Sequence, residues 1–148
     1  QGLHPLHPFE QGHQGGVTAG PIAIQTASVP AAIGAYSQAI QIGQLLFVSG
    51  QIPIDPSTGS LVAGDIAEQT ERVIQGLSEI LDAAGASLGD VVRTTVFLTD
   101  LRDLPEMNKV YASHFNQPWP ARSTVQVSAL PKSVRIEIDA VAVLPASD

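Results

Sequence analysis

The sequence predicts an α+β fold, with a single six-stranded mixed sheet and two helices on one of its faces. Two stretches repeat apolar residues every three or four positions, which is typical of amphipathic helices. Around them lie short stretches that are rich in β-branched residues or alternate in polarity, which is typical of strands. With 148 residues, 44% of them hydrophobic, the chain is long enough for one domain with a proper core.

The first strands are predicted in the N-terminal third of the chain. A short strand at 22–24 precedes a loop at 29–38, in which proline and glycine interrupt any regular pattern. Residues 38–43 and 45–49 then form a hairpin that turns at Gly43. A second loop, rich in turn-forming residues, leads to the first helix.

The first helix begins after Asp65 and ends before Gly85. Asp65 caps it, because Glu68 stands three residues later in a capping-box arrangement, and Gly85 supplies a left-handed stop. The residues between them that recur at helical spacing form one stripe: Ile66, Thr70, Val73, Leu77, Ile80 and Ala84.

A β-branched strand at 91–99 is followed by the second helix. Asp103 and Glu106 form a second capping pattern, and the helix runs to about His114 or Phe115. The residues on one side of this helix are Leu104, Met107, Val110, Tyr111 and His114.

Two strands joined by a short proline-containing loop end the chain, and each carries a charge in an apolar setting. On the first, Arg122 lies on one face with Thr124. On the second, aliphatic residues fill one face and Glu137 lies on the other. We therefore expect Arg122 and Glu137 to lie on adjacent strands of one sheet.

Composition excludes several classes of function. The net charge of −7, a pI near 4.8 and only seven Lys and Arg residues argue against a nucleic-acid partner. Without cysteine there is no disulfide, thiolate nucleophile or Cys-ligated metal. No apolar run is long enough to span a membrane. The default compartment is the cytoplasm, and an organelle is left open.

The same composition favours a homo-oligomer. Charged residues make up 14% of the chain, whereas about a quarter is usual for a globular domain. The predicted strands at 45–48 and 91–98 carry apolar residues at both odd- and even-numbered positions, which indicates burial on both faces of the sheet. Two helices cover only one face, so a neighbouring subunit is the simplest cover for the other.

Residues 1–20 are interpreted as a flexible leader or an expression-derived segment, and residues 21–148 as the domain. The leader is rich in Gly, Pro and Gln and shows neither the hydrophobic periodicity of a helix nor that of a strand. It also holds His4, His7 and His13, which leaves a metal-binding tract as the alternative. We predict no metal there, because no Asp or Cys joins the histidines at a ligand spacing.

The residues alone leave the chemistry open. A guanidinium grips a carboxylate through two parallel hydrogen bonds, so Arg122 is either a substrate anchor or one half of an ion pair with a neighbouring strand. Glu137 is either a solvated carboxylate or a base that orients water. Tyr36, on a loop, either contacts a ligand or packs, and Asn108 is most simply a surface amide.

Five motifs, in order, resemble the RidA family, also called YjgF, of reactive-intermediate deaminases. They are Gly34-Ala-Tyr-Ser-Gln-Ala-Ile40, Val48-Ser-Gly-Gln-Ile-Pro53, Val92-Arg-Thr-Thr-Val-Phe97, Pro120-Ala-Arg-Ser123 and Ile136-Glu-Ile-Asp-Ala-Val-Ala142. The resemblance implies a fold like the trimeric type of chorismate mutase. It also implies a homotrimer whose sheets face inward and whose clefts lie between subunits.

The resemblance assigns roles to individual residues. Arg122 matches the arginine that holds the substrate carboxylate, and Glu137 matches the acid that positions or activates water. The other residues that it places in the substrate cleft are Tyr36, Ser49, Gly50, Asn108 and Thr124. Thr124 stands where many relatives have Cys. Ala35 replaces a common Pro and so removes a constraint on the loop that carries Tyr36.

The implied reaction needs no metal or organic cofactor. Enamines such as 2-aminoacrylate tautomerise to 2-imino acids such as 2-iminopropanoate, and hydrolysis of the C=N bond gives a 2-keto acid and ammonia. Two other functions are kept as alternatives: a non-catalytic keto-acid-binding or chaperone-like trimer, and an endoribonuclease, which the acidic charge disfavours.

Overall fold

Six strands form one mixed sheet, and two helices cover one of its faces. The computed structural model describes residues 20–146. The elements are β1 (Ile22–Ile24), β2 (Ala39–Ile42), β3 (Leu45–Gln51), α1 (Ile66–Ala83), β4 (Val91–Leu98), α2 (Leu104–His114), β5 (Ala121–Gln126) and β6 (Ile136–Val143). The strand order is β1-β2-β3-β6-β4-β5, and only β4 and β5 run parallel. The fold class predicted from the sequence is therefore confirmed.

Helix α1 forms where the local signals predict it. The Asp65 carboxylate accepts a hydrogen bond from the Glu68 backbone N–H at 3.0 Å. Gly85, with φ at +79°, follows the last turn in the left-handed conformation. Its apolar stripe is buried against the sheet, as the complete burial of Val73 and Leu77 shows. No helix in residues 20–146 is both long and apolar enough to cross a membrane.

The cap predicted for α2 at Asp103 is wrong. Asp103 has helical backbone angles, because it ends a 3₁₀ turn that runs directly into α2. The turn is capped by Asp100, whose carboxylate accepts from the Arg102 backbone N–H at 2.9 Å. The Asp103 carboxylate instead accepts a hydrogen bond from the Arg135 guanidinium at 2.7 Å, so it ties α2 to the start of β6.

The expected pairing of the last two strands is also wrong, because β4 lies between β5 and β6. Helix α2 is a crossover connection that returns the chain parallel to β4, so β5 pairs with β4 at the sheet edge. Strand β6 then inserts between β3 and β4. Its aliphatic residues Ile136 and Ile138 are fully buried, as in a central strand.

The two faces of the sheet have different surroundings. The helix-covered face holds the core, where Leu46, Val96 and Ile138 are fully buried. The open face, which the helices do not cover, is also apolar at one end, and Phe47 there is 45% exposed. The other exposed apolar residues of this face are Ile42, Leu45, Val125 and Val143. Both sides of β3 therefore carry apolar residues, but Leu45 and Phe47 are exposed in the single chain, so burial of β3 on both faces stays a prediction.

Candidate active site

Arg122 lies on the helix-covered side of the edge strand β5. It pairs directly with Thr94 of β4, whose side chain is buried beneath α2. Residues opposite each other on neighbouring strands project to the same side. Arg122 thus faces a cavity of about 510 Å³ between β5 and α2, lined by Asn108, Tyr111, Ala112, Trp119, Pro120 and Arg122.

The Arg122 guanidinium rests on an aromatic ring rather than on a carboxylate. Its Cζ lies 4.8 Å from the centroid of the Tyr111 ring. The Tyr111 hydroxyl is hydrogen bonded to the Thr94 hydroxyl at 2.8 Å, and burial raises the pKa of Tyr111 above its usual value. Within residues 20–146, Arg122 forms no ion pair with a carboxylate. The ion pair considered as the alternative is therefore absent from the described part of the chain.

A β-bulge shapes the wall beside the second charged residue. The pairing of β3 with β6 shifts between Val48 and Gln51, so Ser49 and Gly50 together face Asp139. A bulge of this kind re-aims side chains and bends its strand. The bulge brings the backbone of Gly50 close to the side chain of Glu137, which lies on the same face of β6 as Asp139.

The Glu137 side chain is half-buried on the open side of β6. A Cβ atom at Gly50 would lie only 2.6 Å from its Oε2 atom, so the absence of a side chain at Gly50 makes room for the carboxylate. Burial raises the pKa of the Glu137 carboxyl, and the negative charge of Asp139 raises it further. Asp139 is held in place by the Thr95 backbone N–H, which donates to its carboxylate at 3.2 Å.

The buried side chain of Gln38 holds the loop that carries Tyr36. Its amide oxygen accepts from the Thr26 N–H at 2.8 Å, and its NH₂ group donates to the carbonyls of Thr26 and Pro30 at 3.1 and 3.0 Å. These bonds cross the loop and tie its end at Gln38 to Thr26 and Pro30.

A second contact ties this loop to the bulge. The Ser49 hydroxyl donates to the Ser37 carbonyl at 2.6 Å, next to Tyr36. Tyr36 is 56% exposed, and its hydroxyl accepts a long hydrogen bond from the Ile33 N–H at 3.4 Å. Its ring borders two cavities, one of about 530 Å³ on the open face and one of about 240 Å³ beside Gly50.

The predicted site residues thus form two separate groups. Asn108 lines the Arg122 cavity, and Thr124 lies two residues along the same side of β5, outside the lining of that cavity. The group around Glu137 contains Tyr36, Ser49 and Gly50. Arg122 and Glu137 project from opposite faces of the sheet, with β4 between their strands. One chain therefore cannot bring them to a shared cavity.

Sequence reasoning missed three residues that these groups depend on. The sequence pattern places Tyr111 only on one side of α2 and gives no role to Gln38 or Asp139. The alternation of β6 does place Asp139 on the same face as Glu137, which was a usable signal. No pattern in the sequence points to the contact between Tyr111 and Arg122, because their elements meet only in the folded chain.

The described residues contain no cluster of three or more His, Cys, Asp or Glu side chains that could hold a metal ion. The histidines of the N-terminal segment, His4, His7 and His13, lie outside the described residues, so the prediction about them remains a prediction.

Comparison with known proteins identifies the family. A family model described as Endoribonuclease L-PSP matches residues 26–144. A RutC family protein of Pyrococcus abyssi is 56% identical over 119 residues, which cover 80% of this chain and 94% of the relative. The human 2-iminobutanoate/2-iminopropanoate deaminase is 48% identical over 120 residues, covering 81% of this chain and 88% of the relative. The chain belongs to the RidA/YjgF family.

Solved structures of RidA-like proteins share the fold. RidA from an Antarctic Psychrobacter has a TM-score of 0.80 at 43% identity, covering 83% of this chain and 99% of that one. Escherichia coli TdcF with bound serine has a TM-score of 0.78 at 41% identity, covering 84% of this chain and 99% of that one. The family model, which matches residues 26–144, extends over both groups of candidate residues, from Tyr36 to Glu137.

Proposed function

We propose that this RidA family protein hydrolyses the C=N bond of small 2-imino acids to give 2-keto acids and ammonia. The observation that carries the proposal is an arginine, Arg122, that lines a cavity and has no carboxylate partner within the described residues. A guanidinium in that state is suited to bind the carboxylate of a ligand. The names of the mammalian relatives specify the imino acids, and TdcF with bound serine provides an example of a small amino acid bound to this fold.

Arg122 and Glu137 have different roles in the proposed reaction. Arg122 holds the carboxylate of the imino acid and so fixes its reacting carbon. Glu137 accepts a proton from a water molecule as the water oxygen bonds to the imine carbon and the C=N electron pair moves to nitrogen. The proton then passes to that nitrogen and gives a carbinolamine with one hydroxyl and one amino group. Glu137 takes up the hydroxyl proton and delivers it to the amino nitrogen as the C–N bond breaks, so ammonia leaves and the hydroxyl oxygen becomes the keto oxygen. The raised pKa of Glu137 makes its carboxylate a stronger base for the first step.

The site is proposed to lie between subunits of a homotrimer. The apolar open face of the sheet needs a cover, and Arg122 and Glu137 can meet only if they come from different chains. A cyclic arrangement of subunits covers the open face and also brings Arg122 of one chain to Glu137 of the next, because it repeats one contact between two different surfaces. Sedimentation should give three times the 15.5 kDa mass of the chain, and a monomer at micromolar concentration would contradict this part of the proposal.

Ammonia release from 2-iminopropanoate, generated in the cuvette by an amino-acid oxidase, tests the reaction. The wild-type protein should accelerate release, Arg122→Ala should abolish the acceleration, and Glu137→Gln should lower turnover more than it lowers keto-acid binding. Arg102→Ala is the control, since that arginine is exposed and, within residues 20–146, is paired only with Asp100. Binding of 2-ketobutyrate without any acceleration would instead favour the non-catalytic keto-acid binder.

The family description also names an endoribonuclease. RNA cleavage that is retained by Arg122→Ala and lost on further purification would be assigned to a contaminant. The net charge of −7 disfavours a polyanionic substrate.

A further inference from the structure

We propose that Tyr111 is the positioning residue of the site, and that its ring fixes the orientation in which Arg122 presents its hydrogen-bond donors. This inference rests on the proposed function of the Arg122 cavity. It adds a residue that does not contact the reacting atoms but determines how the carboxylate is held.

A guanidinium has two kinds of surface, and the contact with Tyr111 uses only one of them. The planar face of the group is weakly hydrated and stacks on aromatic rings, whereas its edge carries the N–H donors that grip a carboxylate. The Cζ of Arg122 lies 4.8 Å over the Tyr111 ring, within the range of a cation–π contact. An ion pair would occupy the edge, but the ring leaves it free. Tyr111 can therefore hold the arginine without competing with a ligand.

Tyr111 is itself rigidly placed. Its hydroxyl is hydrogen bonded to Thr94 at 2.8 Å, and Thr94 is the residue directly opposite Arg122 on the neighbouring strand. On the C-terminal side, the Phe115 ring stacks on the Tyr111 ring with 4.3 Å between centroids. The ring is thus fixed from the sheet and from the next turn of α2. The same strand pair that carries the arginine also anchors the ring on which it rests.

A purely structural role for Tyr111 makes a different prediction. A tyrosine that only fills the core would affect thermal stability when replaced but would leave the affinity of the cavity unchanged. A positioning residue affects the mobility of Arg122 and the Michaelis constant for the imino acid. These two readouts therefore separate the roles, even though Tyr111 is buried and its loss also lowers stability.

The test compares Tyr111→Phe, Tyr111→Leu and Leu77→Ala in the assembled protein. Tyr111→Phe keeps the ring and should leave KM within about twofold of the wild type. Tyr111→Leu removes the ring and should raise KM by about three- to thirtyfold, the range that a cation–π contact corresponds to, with a smaller change in kcat. Leu77→Ala removes apolar volume from a fully buried position of α1 outside the cavity lining, so it should lower the melting temperature without changing KM.

Side-chain ¹⁵N relaxation of the Arg122 Nε–H group gives a readout that needs no ligand. The signal is assigned by its loss in Arg122→Lys. Its order parameter should be above about 0.8 in the wild type and in Tyr111→Phe, and below about 0.6 in Tyr111→Leu. A rigid Arg122 in a folded Tyr111→Leu protein, or equal changes of KM in Tyr111→Leu and Leu77→Ala, would overturn the inference. A wild-type protein that shows no imine hydrolysis but a rigid Arg122 that loosens in Tyr111→Leu would overturn the proposed function alone.

Discussion

Mixing two inactive variants tests whether the site is built by two subunits. Arg122 and Glu137 project from opposite faces of the sheet, so the proposed site takes one residue from each of two chains. In an equimolar, randomly assembled mixture of Arg122→Ala and Glu137→Ala chains, each position is intact with a probability of one half. About one quarter of the sites then contain both residues, and the mixture should regain about that fraction of wild-type activity.

The assay requires real exchange of subunits. The two variants are unfolded together, refolded by dilution and assayed for ammonia release, and native mass spectrometry confirms that mixed assemblies have formed. Each variant refolded alone, and the two combined without unfolding, provide the baseline. If mixed assemblies are present but activity stays at the baseline, then both residues act from the same chain or one of them takes no part in catalysis, and the reasoning from opposite faces fails.

Three further predictions concern the Glu137 group and the open face. Burial and the negative charge of Asp139 both raise the pKa of Glu137. Asp139→Asn removes the second cause, so the acid limb of the pH–rate profile should move to lower pH. An unmoved acid limb would show that it reports the titration of another group. Gly50→Ala places a Cβ 2.6 Å from the Glu137 carboxylate and should lower kcat by about ten- to a hundredfold, whereas Gly89→Ala, whose Cβ would lie 3.6 Å from its nearest neighbour, should leave steady-state kinetics unchanged. Phe47→Glu puts a charge on the apolar open face and should yield monomers by analytical ultracentrifugation, while Phe47→Leu should keep the assembly, and an intact assembly of the glutamate variant would mean that this face is not the interface.

Local features of the fold could be predicted from the sequence because their causes are local. The α1 boundaries follow from Asp65 and Gly85, which act on the neighbouring backbone. The alternation of β6 follows from the period of two, so the two faces were assigned correctly. The strand order was not accessible in this way. Whether the strand with Arg122 pairs with β4 or with β6 depends on how α2 crosses the sheet, and no single segment records that.

The same division applies to the candidate site. The motifs identified Arg122 and Glu137 through resemblance, while the residues alone left an ion pair and a solvated carboxylate open. What surrounds these two groups follows from tertiary packing. The ring of Tyr111 reaches Arg122 because α2 lies across β4 and β5. The shift of register that brings Gly50 to Glu137 depends on pairing between distant segments, which a local pattern does not encode.

The bulge at Ser49 and Gly50 has a consequence for the length of β3. Before the bulge, Val48 faces the helices; after it, Gln51 faces them too and packs against Gly76 of α1, although regular alternation would turn it outward. One extra residue therefore resets the phase of the strand. A scan of substitutions would overlook this dependence, whereas deletion of Ser49 or Gly50 would restore regular alternation with the same partners. Gln51 would still lie opposite Ile138 and face the helices, but only one residue would oppose Asp139, and the room that the bulge makes for the Glu137 carboxylate would be lost.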